Sequence, residues 1–77
     1  MDFEQIANQN KSFLHEILSR KDIIAKLLVV EVRFDGSWYV STANCHISDQ
    51  LGLGQIASEY ALERFRKFLK EGYNVEK

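Results

Sequence analysis

Cys45, His46 and Asp49 form the densest group of nucleophile and metal-ligand types in the chain. A thiol beside an imidazole could act as a nucleophile, and the three groups together could hold a metal ion. Their spacing argues against both. Neighbours on a strand point to opposite faces, so Cys45 and His46 cannot share a metal. No C-x-x-C or H-x-x-x-H spacing accompanies them. His46 is poorly placed to activate the adjacent sulfur, and His15 belongs to a distant helix beside Glu16. Cys45 reads as a half-buried small thiol and the histidines as surface groups. No catalytic residue and no metal site is expected.

A second motif, Gly52-Leu53-Gly54-Gln55-Ile56-Ala57, fits G-x-G-x-x-A. In a dinucleotide fold that loop brings a pyrophosphate to a helix N-terminus. Here a hairpin precedes it, no strand follows to complete a βαβ unit, and no cofactor is expected. Weak anion binding at the helix start stays open; the plain reading is a loop that needs glycine conformations. Carboxylates are mostly helical and paired: Glu63 stands three before Arg66 and four before Lys67, a helix-stabilising spacing.

Arg64, Arg66, Lys67 and Lys70 make a local basic cluster. Such clusters hold phosphates, but cations near a helix C-terminus also complement its dipole, which is the plainer role. Trp38, Tyr39, Phe34 and Tyr73 are the aromatic candidates for a contact surface, with Arg33 beside them.

The elements that position these groups follow from periodicity. Phe3, Ile6, Ala7, Phe13, Leu14, Ile17 and Leu18 recur at helical steps, with Asn10 on the same stripe. Asp2 and Gln5 predict an N-cap and capping box, and the helix should end near Arg20 or Lys21. From Lys26 to Phe34 the period becomes two. Asp35-Gly36 predicts a turn, and Ser37 to Thr42 the return strand. A two-residue loop would pair Arg33 with Trp38 and mix charge with apolar side chains. A three-residue loop with Gly36 left-handed pairs Val32 with Trp38 and Val30 with Val40, giving one apolar face. Cys45-His46-Ile47 is a possible short third strand. Leu51 to Gly54 leads into a second helix striped by Ala57, Ala61, Phe65, Phe68 and Leu69, with Gly72 as its stop. The expectation is a single α+β domain over residues 1–77. Its two helices pack on one face of a small antiparallel sheet, bringing Trp38 into the core.

Composition sets the class of function. With 77 residues, 45% hydrophobic, this is a folding chain, yet one of this size buries only about 60% of its unfolded surface. A single cysteine allows no internal disulfide, so a partner subunit or a bound macromolecule is the expected supplement. A net charge of −1 supplies neither a global basic surface for nucleic acid nor the acidity of a DNA mimic. The stretch from Ile23 to Val30 is broken by Lys26 and is too short to span a bilayer. No basic region precedes an apolar run at the start, so a cytoplasmic protein without membrane association is expected.

Three family patterns share parts of the chain. Gly52-Leu53-Gly54 leading into Ala57, Ala61 and Leu62 is similar to the final helix of double-stranded-RNA-binding domains. That family's phosphate-binding lysines are replaced here by Gln55, Ile56, Ser58 and Glu59. Leu28 to Leu69 resembles partial RNase-H-like antitoxin domains, without their proline-containing loop. Val32 to Val40, with Glu63-Arg64-Phe65 and Gly72-Tyr73-Asn74, resembles small phage-encoded inhibitors of CRISPR nucleases. Those are much more acidic, so their DNA-mimicking mechanism is not implied.

The sequence therefore favours a non-enzymatic protein-interaction module, a small regulator or mobile-element inhibitor, with a protein partner or a second copy of itself. Its expected binding residues are Phe34, Arg33, Tyr39, Arg64, Lys67 and Lys70. The alternative is a nucleic-acid-binding or antitoxin-like module using the basic face of the second helix.

Overall fold

The computed structural model describes the backbone of residues 2–75 and the side chains of residues 2–71. The order is α1 (Phe3–Ser19), β1 (Leu27–Val32), β2 (Trp38–Ala43) and α2 (Ile47–Val75). The expected α+β class and its helix–hairpin–helix order hold. Among the described residues no helix is long and apolar enough to cross a membrane.

Helix α1 begins as its capping box dictates. The Asp2 carboxylate accepts from the Gln5 backbone N–H at 2.8 Å, and the Asp2 N–H donates to Gln5 Oε1 at 3.0 Å. Strands β1 and β2 pair antiparallel with Val30 opposite Val40 and Val32 opposite Trp38. This is the register of the three-residue loop. Gly36 takes φ 88°, which a residue with a Cβ seldom adopts. Asp35 fixes the turn by accepting from the Ser37 N–H at 2.9 Å and its hydroxyl at 2.6 Å. These bonds, the hydroxyl's first, hold the Asp35 carboxyl below the usual carboxylate range.

The chain then departs from expectation. There is no third strand at Cys45-His46-Ile47. Asn44 turns the backbone out of β2 with φ 57°, and α2 starts at Ile47. Asp49, in its first turn, reaches back to accept from the His46 N–H at 3.0 Å. That bond satisfies a backbone donor that helix formation would otherwise orphan. Gly52 and Gly54 consequently lie inside the helix, each at a cost of roughly 1 kcal/mol relative to alanine. The helix also runs through Gly72 to Val75 instead of stopping there.

Lys26 ties the start of α2 to the hairpin, its ammonium 2.6 Å from Asp49 Oδ1. Asp49 is the more covered partner, with 19% of its side chain exposed. The hydrogen bond from Lys26, then that from His46, depresses the Asp49 carboxyl; the same contact raises Lys26. A depressed carboxyl stabilises the fold above its unfolded value of about 3.9 and stops doing so as pH falls through its folded value. A raised lysine contributes below about 10.4 and ceases to as pH climbs past its folded value. The helix start should therefore detach in acid below about pH 3.9. The His46 amide resonance should report it, and Asp49→Asn should remove that step while leaving the titration of Asp35 in place.

Packing also departs from expectation. Val30, Val32, Trp38 and Val40 do share one sheet face, but no helix buries it: Val32 is 74% and Trp38 67% exposed. Helix α1 instead meets the hairpin base, where Ile17, Leu18 and Ile24 line a shallow depression with Leu27 and Ala43 of the opposite face. At its other end Phe3 meets Phe34 edge-on, ring centres 4.6 Å apart. None of the described residues is buried. The geometry explains why. Two strands about 4.8 Å apart make a ribbon too narrow to cover two helices. At about 1.5 Å per residue, the 29 residues of α2 also outrun six-residue strands severalfold. The radius of gyration is 16.1 Å, against about 11.5 Å for a compact chain of this length.

Candidate interaction surfaces

The hairpin presents two different surfaces. On the face of Glu31 and Tyr39, which are cross-strand partners, Arg33 lies over the Tyr39 ring at 4.0 Å. Its Nε is 3.4 Å from Glu31 Oε2. Strand register sets this cluster: Arg33 leaves β1 where its side chain can reach back over the pair. Both ions are about half exposed, so their attraction is strongly screened and serves orientation more than stability. Phe34 stands at the turn, 72% exposed despite its contact with Phe3. The other face is the uncovered apolar one bearing Trp38. Sequence reasoning assigned that face to the core and so missed it as a surface. The signal for it was the small size of a two-stranded sheet set against two long apolar stripes.

On α2, the Arg64 guanidinium donates to the Tyr60 hydroxyl at 2.9 Å and lies 5.5 Å from that ring's centre. Arg64, Lys67, Phe68 and Glu71 line one shallow depression, and Lys70 is exposed nearby in sequence. Because the helix continues to Val75, no cation falls in its last turn. Dipole complementation fades beyond the final turn, so the role assigned to this cluster from sequence loses its basis. Arg33 and Tyr39 come together, as do Arg64 and Lys67; no described contact joins the hairpin group to the helix group. The Tyr73 side chain lies outside the described residues.

Cys45 sits half-buried at the hairpin base, its thiol 3.3 Å from the Ala43 carbonyl and 3.5 Å from that of Leu27. Among the described residues no group of three or more His, Cys, Asp or Glu side chains could hold a metal ion. The glycine motif is helical and follows the first turn of α2, so the loop that could have cradled an anion does not form. Comparison of the chain with protein-family models, with curated proteins and with solved structures finds no match among any of them.

Proposed function

We propose that this chain is a cytoplasmic, non-enzymatic protein-interaction module. It works by covering its exposed apolar faces with a macromolecular partner, as a small regulator or mobile-element inhibitor would. The observation that carries this reading is the uncovered sheet face of Val30, Val32, Trp38 and Val40. A contiguous apolar face left in water marks an interaction site. Binding hot spots favour tryptophan, tyrosine and arginine; the hairpin offers Trp38 on one side, Arg33 with Tyr39 on the other, and Phe34 at the rim. Arg64, Lys67 and Lys70 add charge from α2. A second reading, nucleic-acid binding through those cations, draws on their position outside the last helical turn.

Photocrosslinking in cells separates the two. With benzoyl-phenylalanine at position 38, nuclease-resistant protein adducts are expected, and none from a control at position 11. Nuclease-sensitive adducts from position 67, with none from 38, would establish the second reading instead. A chain giving adducts from neither position would overturn both.

A further inference from the structure

We propose that the later half of α2 is a second docking surface, for an anionic membrane: residues 61–70 lie in the headgroup layer of a bilayer with their apolar side toward the acyl chains. This goes beyond the interaction-module reading, whose carrying observation is the hairpin face.

Helical position is the first argument. Successive residues turn by about 100° around a helix, so Ser58, Ala61, Leu62, Phe68 and Leu69 all fall within about 60° of Phe65. No charged residue of α2 enters that arc. Phe65 and Phe68 are each more than half exposed. Among the described residues, no hydrogen bond or ion pair joins α2 beyond Gln50 to the rest of the chain. The arc is therefore open to a large flat partner.

Charge is the second. Residues 64–70 hold Arg64, Arg66, Lys67 and Lys70 and no acid, whereas residues 47–63 hold Asp49, Glu59 and Glu63 and no cation. Positive charge is thus gathered on the stretch that carries both phenylalanines, although the chain as a whole has a net charge of −1. The nearest charges to the arc are Arg64 on one side and Arg66 on the other, each about 100° from Phe65. Glu71 stands at about 120° on the Arg64 side, Lys70 at about 140°, and Lys67 and Glu63 at about 160°, facing away.

A bilayer surface offers what this arrangement fits. Acyl chains take the apolar arc, and phosphates lie level with both of its borders. Arginine stems can run along the apolar layer while their guanidinium groups reach those phosphates. Anionic lipids of a cytoplasmic leaflet attract such a segment. A nucleic acid would use the cations but leave Phe65 and Phe68 in water. The equal angles of the two arginines suit a plane pressed against the arc. The expectation of no membrane association rested on the lack of a span and of a leader, and a helix lying in the interface needs neither.

Pelleting of the full chain with vesicles tests this, using phosphatidylcholine alone and phosphatidylcholine mixed with phosphatidylglycerol. The chain should pellet with the mixed vesicles only, and high salt should weaken that binding. R64Q/R66Q should weaken it about 30-fold, and F65S/F68S at least about tenfold. Orientation gives a readout that a folding defect cannot imitate. Lipids brominated on their acyl chains should quench the indole of W38F/F65W and spare that of W38F/K67W, because position 67 faces away from the bilayer. No pelleting, equal pelleting with neutral vesicles, or equal quenching at both positions overturns the proposal. Nuclease-sensitive adducts from position 67 in a chain that ignores vesicles would assign the cations to nucleic acid instead. Protein adducts from position 38 depend on none of these results, so the hairpin reading stands or fails separately.

Discussion

Trp38→Ala should leave the dilute chain's secondary structure essentially unchanged while weakening partner binding by about 2–4 kcal/mol, some 30- to 1,000-fold. The hydrophobic pattern alone supports the reverse, an unfolding core truncation of roughly 3–5 kcal/mol. The difference lies in what covers the ring. Trp38 is 67% exposed in the chain and stands opposite an equally uncovered Val32. Truncating an exposed side chain removes few contacts, so the fold has little to lose. A partner that seats the indole loses both its buried area and the packing around it. Far-UV circular dichroism at low concentration, beside crosslinking yield from a neighbouring position such as 40, separates the outcomes. Loss of the hairpin signal in the dilute variant would return Trp38 to an intrachain core and refute the uncovered face.

The parts legible in the sequence are those decided by local chemistry. Asp2 and Gln5 cap α1 because both hydrogen bonds close within one turn. The hairpin register follows because Gly36 alone takes the left-handed conformation cheaply and only one pairing sorts Val30, Val32, Trp38 and Val40 onto one side. The start of α2 was not legible. Gly52 and Gly54 carry a loop preference of about 1 kcal/mol each. It is overridden by Asp49, whose carboxylate both caps the helix and meets Lys26, a residue twenty-three positions away. Local propensity cannot register a contact of that range. The helix end was misread in turn, and with it the meaning of the basic cluster. The apolar stripes were read correctly as surfaces that seek cover. Periodicity identifies which side chains need burial; it does not say whether the cover comes from the same chain.

That distinction leads to the second large effect, a thermal midpoint that depends on concentration. A chain whose described residues include none that are buried cannot draw its stability from an intrachain core. On the interaction-module reading its hydrophobic side chains are covered by a partner, and in a purified sample that partner can only be a second copy of the chain. Association and folding then share one equilibrium, and anything that binds only the folded form stabilises it by mass action. Each tenfold rise in concentration is worth about 1.4 kcal/mol. For a domain of this size that corresponds to roughly 5–10 °C in the midpoint. Melts between 1 and 100 μM should therefore shift upward by about 10–20 °C. The dilute end should approach a broad, weakly cooperative transition, because hairpin and helices lack a common core to unfold together. A sharp transition at a fixed temperature across that range would mean that the chain folds without self-association.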